Sequence, residues 1–148
     1  IAKHWGAKVI ATSGSEEKCR RLRQLGADVT VDVSADDFVE ATRRATNDRG
    51  ADVVLEMIGG EVYLKSLSVL APGGRLIVLD WCLPSTPEDD RTPLGQMMWG
   101  AQLDQIMSGW SFHSREGFLA IFAAAGIPTP SVTELPSGAT VFAVDRPA

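Results

Sequence analysis

Short runs of aliphatic residues alternate with longer amphipathic segments over roughly the first half of the chain. Runs rich in Val, Ile and Leu are typical of strands that are covered on both faces, as in a parallel sheet. They predict strands over residues 7–12, 28–33, 51–58 and 74–80, and apolar residues at helical spacing predict helices over residues 16–26, 36–45 and 61–70. This order predicts an α/β fold, Rossmann-like and doubly wound, with a mostly parallel sheet.

The ends of these helices carry recognisable signals. The first helix places Cys19, Leu22 and Leu25 at helical spacing and is expected to stop at Gly26. Ser34 is the predicted N-cap of the second helix, with an acidic residue three positions later.

The strand–helix rhythm stops after Asp80. Three prolines and the acidic run of residues 88–90 predict an exposed loop without regular structure. Helices are predicted over residues 94–107 and 115–125, and the buried side of the second is expected to carry Phe118, Leu119, Ile121 and Phe122. Residues 131–135 and 139–145, joined by a Pro-Ser-Gly turn, predict a C-terminal antiparallel hairpin, so we expect one domain over residues 1–148.

Composition narrows the classes of partner. The 148 residues are 45% hydrophobic and 22% charged, which is typical of a globular domain with a sizeable core. The net charge of −5 and the absence of a basic run argue against nucleic acid, and no apolar stretch reaches the ~18 residues that span a bilayer. The two cysteines have no metal-ligand spacing, so we expect no metal site, reduced thiols and a cytoplasmic protein. The expected partner is a dinucleotide or another small molecule.

The loop after the first predicted strand offers Ser13, Gly14, Ser15 and Lys18. In doubly wound sheets the loop after the second strand, to which this loop corresponds, holds the adenosine ribose of a dinucleotide, and an acidic residue there would bind a free 2′-hydroxyl. Hydroxyls and a cation suit a 2′-phosphate instead, which favours NADP over NAD. The alternative is that Ser15 only caps the helix and that Lys18 is a solvated residue of its first turn.

Two long runs carry a family resemblance: AKHWGAKVIATSGSEEKCRRLRQLGAD and GADVVLEMIGGEVYLKSLSVLAPGGRLIVLD. They resemble the nucleotide-binding half of the medium-chain dehydrogenase/reductase superfamily, particularly its zinc-free quinone oxidoreductase and enoyl reductase branch. The resemblance covers residues 1–80. It implies an NADP-dependent oxidoreductase that acts on a quinone-like carbonyl or an activated alkene.

The resemblance also assigns site residues. It implies that Ser13, Ser15 and Lys18 surround the adenosine 2′-phosphate and that Asp32 lies near the adenine. The residues that it places beside the nicotinamide half of the dinucleotide are Ile58, Gly59 and Gly60. The two glycines are expected to allow close backbone approach to the ligand, with a simple strand-to-helix turn as the alternative. The sequence identifies no catalytic residue.

In this family a first strand and a glycine-rich, diphosphate-binding loop precede the segment that resembles IAKHWG. We therefore expect both to be missing from the chain, and weak or no turnover from the chain alone. The strands that would flank the missing one either pair directly, accept the terminal hairpin between them, or receive a strand from a second copy; otherwise residues upstream were removed.

A second resemblance covers residues 81–148. The runs SREGFLAIFAAAG and PSGATVFAVD are similar to the C-terminal part of S-adenosylmethionine-dependent small-molecule O-methyltransferases. It implies S-adenosylmethionine as an alternative cofactor. A third interpretation is a non-catalytic α/β scaffold that forms a homodimer. An apolar stripe is predicted to pack in the core, to line a substrate pocket or to form that dimer interface; it comprises Met97, Met98, Trp99, Leu103, Met107 and Trp110.

Overall fold

The computed structural model describes residues 1–83, 86–107 and 113–147, without the side chains of residues 89, 90 and 103–107. A 3-10 turn over Ala2–Trp5 precedes six strands and six helices within the described ranges. The strands are β1 (Ile10–Ser13), β2 (Val29–Asp32), β3 (Ala51–Glu56), β4 (Leu70–Asp80), β5 (Ser131–Glu134) and β6 (Thr140–Asp145). The helices are α1 (Glu16–Gln24), α2 (Phe38–Thr46), α3 (Gly60–Ser68), α4 (Pro87–Asp90), α5 (Pro93–Met107) and α6 (Arg115–Ala124). The α/β order predicted from the sequence is confirmed.

The described strands form two sheets rather than one. β1 and β2 pair in parallel, and a second sheet has the order β3-β4-β6-β5. β4 is parallel to β3, whereas β6 is antiparallel to both β4 and β5. The parallel pairs therefore come from the Rossmann-like part, and the antiparallel pairs come from the predicted C-terminal hairpin.

The strand pairing shows whether β1 and β3 pair directly or accept the C-terminal hairpin between them. β1 does not pair with β3 in either sheet of the described chain, so the two strands do not close on each other. The hairpin adds to the far edge of β4 and does not enter between β1 and β3. Within the described residues, the edges of β1 and β3 that face each other have no ladder partner.

The hairpin turn forms as its sequence predicts. The amide of Gly138 donates to the carbonyl of Leu135 at 2.9 Å. Gly138 has a φ of 86°, and a Cβ there would collide with the side chain of Leu94 in α5. The turn conformation therefore requires glycine at this position, whereas the contact with Leu94 involves only the end of a flexible side chain.

Two helix starts differ from the sequence prediction. The N-cap of α2 is Asp37, whose carboxylate accepts from the amide of Val39 at 2.7 Å. The prediction of Ser34 as the cap is wrong, because the Ser34 hydroxyl donates to Asp32 at 2.6 Å. Residues 87–90, predicted as irregular loop, form the single helical turn α4. Proline at the first helical position followed by acidic residues favours such a turn.

The largest core cluster lies between the four-stranded sheet and helices α3 and α6. Its buried members are Tyr63, Leu70, Leu76, Val78, Phe122, Phe142 and Val144. Phe118 and Leu119 pack against this cluster from α6, as the sequence predicts. The aromatic rings of Phe118, Phe122 and Phe142 stack at centroid distances of 5.0 and 5.7 Å, so they fix α6 on the sheet.

Some residues expected in the interior are exposed. Ile121 of α6 is 40% exposed and Leu25 is 81% exposed. Leu25 is the C-cap of α1, beyond the buried Cys19, and a two-stranded sheet leaves little surface to cover it. Of the apolar stripe, Met98 is buried while Met97 and Trp99 are exposed. The Leu103 and Met107 side chains and all of Trp110 lie outside the described residues, and the homodimer stays a prediction.

Both thiols are free, and Cys82 is half-buried. The described helices include none that is both long and apolar enough to cross a membrane.

The Tyr63 hydroxyl is a buried polar group in the described core whose hydrogen bonding is not satisfied. The Tyr63 hydroxyl is buried without a hydrogen-bond partner among the described residues. Burial, with a contribution from the Glu56 carboxylate, raises the pKa of Tyr63. The ring itself packs edge-on against Phe122, with centroids 5.4 Å apart.

We expect Tyr63→Phe to leave stability unchanged or to raise it by about 1 kcal/mol, since it removes an unsatisfied hydroxyl and keeps the ring. Tyr63→Ala should cost about 3–5 kcal/mol, because it leaves a cavity. Urea unfolding of both variants measures the difference. A loss of more than ~1 kcal/mol in Tyr63→Phe would show that the hydroxyl is bonded in solution.

Asp80, at the carboxyl end of β4, is half-buried, and its carboxylate accepts from the Trp81 amide at 2.7 Å. Burial, with repulsion from Glu56, raises the pKa of Asp80 above its ordinary 3.8. Because the folded state favours the protonated Asp80, the free energy of unfolding is higher at low pH. It decreases as the pH rises through the raised pKa of Asp80, and it recovers as the pH falls toward 3.8.

Asp80→Asn keeps the acceptor for Trp81 and removes the charge. We expect its melting temperature to exceed that of the parent chain at about pH 7.5, and this advantage to shrink toward about pH 4. Differential scanning calorimetry at both pH values measures it. An advantage that is constant with pH would contradict a titrating Asp80 carboxylate as the cause.

Candidate functional site

The residues predicted to hold the adenosine end lie at the carboxyl edge of the β1–β2 pair. Ser13 ends β1 and is in register with Asp32, which ends β2. Gly14 is exposed in the turn that follows, and Ser15 is the N-cap of α1. The two strand ends and the start of α1 therefore meet at one edge.

The N-terminus of α1 combines a cap with mixed charge. The Ser15 hydroxyl accepts from the Lys18 amide at 3.4 Å, so the capping role of Ser15 is observed. Lys18 is exposed in the first turn beside two acidic residues. Arg23 binds the carboxylate of Glu16 at 2.7 Å, whereas Glu17 is exposed. The Ser13 and Ser15 hydroxyls and Lys18 lie close together in the sequence, and the exposed carboxylate of Glu17 adds an opposing charge beside Lys18.

Asp32 is fixed by the turn that follows β2. Its carboxylate accepts from the Ser34 hydroxyl at 2.6 Å and from the Ser34 amide at 3.0 Å. These bonds, with a further one from the Glu16 amide, lower the pKa of Asp32. The Asp32 carboxylate therefore holds the turn after β2 and the start of α1 in place.

The second group of predicted residues follows β3. Ile58 is 59% exposed, and Gly59 has a φ of 76° as the N-cap of α3. A Cβ on Gly59 would meet no atom within 4 Å, so the backbone conformation, not crowding by the protein, requires glycine. Gly60 is the first residue of α3. The strand-to-helix turn is thus observed, and the open space above it leaves room for a ligand.

A buried carboxylate shapes this turn, and the sequence analysis missed it. Glu56 is only 4% exposed, and its Oε1 accepts from the amides of Ile58 and Gly59 at 2.7 and 2.8 Å. Two charge-assisted bonds to one oxygen fix the path of the chain between β3 and α3. The available signal was an acidic residue at the end of an apolar strand, three positions before a glycine pair.

A single cavity of about 1090 Å³ connects the two groups. Ser13 and Gly14 line it from the side of β1, and Met57 and Ile58 line it from the side of β3. Four other predicted residues that the structure describes do not line it: Ser15, Lys18, Asp32 and Gly59. The structure therefore brings Ser13 and Gly14 of the adenosine loop and Ile58 of the β3 turn to one cavity.

Several proteins are similar to part of the chain. The 2-haloacrylate reductase of a Burkholderia species is 44% identical over 73 residues, which are 49% of this chain and 22% of that protein. A crystal structure of a putative alcohol dehydrogenase from Sinorhizobium meliloti is 47% identical, with a TM-score of 0.50 over 51% of this chain and 22% of that one. The Escherichia coli quinone oxidoreductase complexed with NADPH is 30% identical, with a TM-score of 0.47 over 49% and 22% of the two chains.

The chain spans about a fifth of the length of the curated relatives that it matches. The sequence profile of the zinc-binding dehydrogenase family matches residues 1–122, well into the part that resembles methyltransferases. Nothing in these comparisons supports that second resemblance. The α/β order, the turn after β3 and the profile match agree, and the chain belongs to the zinc-binding dehydrogenase family.

Proposed function

We propose that the chain is a nucleotide-binding region of an NADP-dependent oxidoreductase of the quinone and enoyl reductase type. It would hold NADPH so that a hydride passes from the nicotinamide to an activated alkene or a quinone-like carbonyl. The family match supports an oxidoreductase. Among the relatives, one reduces 2-haloacrylate and another is a quinone oxidoreductase complexed with NADPH.

The single observation that carries the choice of cofactor is the residue at the end of β1. Ser13 stands at the strand end, followed by the Ser15 cap and by exposed Lys18. A carboxylate in this place would bind the ribose hydroxyls of NAD. Hydroxyl groups, a helix N-terminus and an ammonium favour the 2′-phosphate of NADP.

The nicotinamide half would lie over the turn after β3. The exposed backbone of Ile58 and Gly59, held from below by Glu56, offers a fixed surface with open space above Gly59. The dinucleotide supplies the hydride, and the contribution of these residues is binding and orientation. We assign no catalytic residue, and we expect weak or no turnover from this chain alone.

Zinc has no place in the proposal, although the family name includes it. The described residues contain no group of three His, Cys, Asp or Glu side chains that would hold a metal ion. The donor groups around the cavity include hydroxyls, amides and carboxylates, and among the carboxylates Asp37, Asp52 and Glu56 are bonded within the chain. These groups fit a phosphorylated organic cofactor better than a divalent cation.

Ligand titration against thermal stability tests the cofactor class. NADPH should raise the melting temperature, because binding at one hundred times Kd adds about 2.7 kcal/mol to the free energy of unfolding by mass action. NADH should have a smaller effect at the same concentration, and S-adenosylmethionine should have none. A shift with S-adenosylmethionine alone would support the methyltransferase-like alternative, and no shift with any ligand would support a non-catalytic scaffold.

Charge reversal at the start of α1 tests the 2′-phosphate site. Lys18→Glu should weaken NADPH binding about tenfold or more, since a hydrogen bond to a charged group contributes about 1.5–3 kcal/mol, and should leave NADH binding nearly unchanged. Ser15→Asp keeps a capping acceptor but adds a negative charge, so it should act in the same direction without loss of stability. Isothermal titration calorimetry measures both affinities.

Arg21→Glu is the matched control, because Arg21 is also exposed on α1 but lies in its last turn. It should leave the preference for NADPH intact. A preference that survives in Lys18→Glu, or that falls equally in Arg21→Glu, would remove Lys18 from the site.

Substitution of Glu56 tests whether the β3 turn positions the cofactor. Glu56→Ala leaves two amides without their acceptor, at about 1–3 kcal/mol each if they stay buried, and should weaken NADPH binding. Glu56→Gln keeps a carbonyl acceptor and should retain more of both stability and affinity. Equal NADPH affinity in a folded Glu56→Ala variant would show that this turn does not contact the dinucleotide.

A further inference from the structure

The carboxyl ends of β3 and β4 place two carboxylates on one face of the sheet. Glu56 is in register with Val78, and Asp80 lies two residues further along β4. Val78 belongs to the core cluster, so this face is the one that α3 and α6 cover. Because side chains alternate along a strand, Glu56 and Asp80 share that face with Val78, and sheet spacings put their Cα atoms about 8 Å apart. Two extended carboxylate side chains approach each other closely at this separation.

The surroundings of the two carboxylates contain little water to screen their charges. Glu56 is buried, and Asp80 is half-buried. Thr140, which is in register with Asp80 on β6, is also buried. Tyr63 reaches the same region from α3 with a buried hydroxyl. Two negative charges that are poorly solvated repel each other more strongly than the same pair would in water.

Few other charges act on Asp80. The exposed His113, in the segment before α6, attracts its carboxylate, whereas the buried Glu56 repels it. The Cys82 thiol and the Tyr63 phenol are neutral at neutral pH, since burial raises the pKa of both groups. The other charged side chains of α3 and of the start of α6 are at least partly exposed to solvent, and they are Glu61, Lys65, Arg115 and Glu116. Toward the opposite end of the three strands lie Asp52, Arg75 and Asp145. Among the described residues, Glu56 is therefore the buried charge that acts on Asp80.

Glu56 connects Asp80 to the turn after β3. Its Oε1 accepts from the amides of Ile58 and Gly59 at 2.7 and 2.8 Å, and Ile58 lines the cavity. Both bonds are strong because the carboxylate is ionised. A negative Asp80 on the same face disfavours an ionised Glu56 in this position, whereas a neutral Asp80 does not. The charge on Asp80 therefore affects the two bonds that fix the turn.

We propose that Asp80 is a positioning residue of the cofactor site: through Glu56, it holds the turn after β3 firmly when it is neutral and less firmly when it is ionised. This inference rests on the proposed function, which places the nicotinamide half of the dinucleotide over that turn. Burial and repulsion from Glu56 raise the pKa of Asp80 above its ordinary 3.8. The bonds to the turn weaken as the pH rises through this raised pKa, and the affinity for NADPH falls with them.

An NMR titration of the chain without ligand tests the coupling. The carboxyl carbon of Asp80 reports its protonation, and the amide protons of Ile58 and Gly59 report the bonds to Glu56. A weaker hydrogen bond moves an amide proton upfield, so both amides should move upfield together with the Asp80 titration between about pH 4 and pH 8. Amides that do not follow Asp80 would overturn the proposal.

Two variants separate the charge of Asp80 from its other contacts. Asp80→Asn keeps the acceptor for the Trp81 amide and should remove the movement of the two amides. Asp145→Asn is the matched control, because Asp145 pairs with Arg75 at the other end of β6, and it should leave the movement intact. Equal movement in Asp80→Asn, or its loss in Asp145→Asn, would contradict a specific role for the Asp80 charge.

The reciprocal variant is Glu56→Gln. It removes the repulsion, so the titration of Asp80 should shift to lower pH, since a coupling between two sites acts equally in both directions. Circular dichroism establishes that the variant folds. An unchanged Asp80 titration in folded Glu56→Gln would overturn the proposal.

Calorimetric titration with NADPH separates this inference from the proposed function. The 2′-phosphate of NADPH itself titrates near about pH 6, so Asp80→Asn is the reference at each pH. Between about pH 5.5 and pH 7.5, the affinity of the parent chain relative to Asp80→Asn should fall at least about fivefold. A constant ratio would overturn the inference and leave the proposed function in place. Absence of NADPH binding to both chains would contradict the proposed function, and the amide titration would still decide whether Asp80 acts on Glu56.

Discussion

Backbone hydrogen bonding in the middle of a sheet is the constraint on which the rest of this structure depends. A strand that is buried in an α/β fold satisfies its amides and carbonyls through two neighbours. β1 and β3 each have one neighbour in the described chain, and a gap lined by residues of both strands lies at their other edges. The cavity occupies this gap, and Ser13, Gly14 and Ile58 of the candidate cofactor site line it at the carboxyl ends of β1 and β3, so the fold and the site have one common cause.

Helices α2 and α3 hold the two sheets in position around the gap. Lys65 of α3 binds the N-cap carboxylate of α2 at 3.4 Å, and Lys8 before β1 binds the last turn of α2. Both are surface contacts and contribute little individually. The stability of the four-stranded part comes instead from the aromatic cluster against α6, which lies away from the gap. A change at the gap can therefore alter pairing and ligand binding without unfolding the core.

The sequence predicted the elements well where hydrophobic period and turn chemistry agree. The strands, the helices α1 to α3 and the Pro-Ser-Gly hairpin all follow from local signals. The split into two sheets does not, because strand pairing depends on edges that are distant in sequence. Ser34 was misassigned as a cap because a local bond to Asp32 competes with the helix start. Ile121 and Leu25 were placed inside because periodicity does not say how wide the covered face is.

The candidate site was predicted in the same uneven way. The adenosine loop was predicted from residue type and position, whereas the glycine turn was predicted from the family resemblance, and the binding role of both stays a prediction. Glu56 was missed because its role is visible only in the two amides that it accepts from. From the sequence, the position of Glu56 before a glycine pair does not indicate that its carboxylate accepts from the amides of the turn.

Residue-resolved amide exchange by NMR tests most directly whether the second edge of β1 is unpaired. The account predicts alternation along β1: slow exchange for the amides of Ala11 and Ser13, which face β2, and fast exchange for those of Ile10 and Thr12. Uniformly slow exchange at all four positions would mean that β1 is paired on both edges, and would contradict the account.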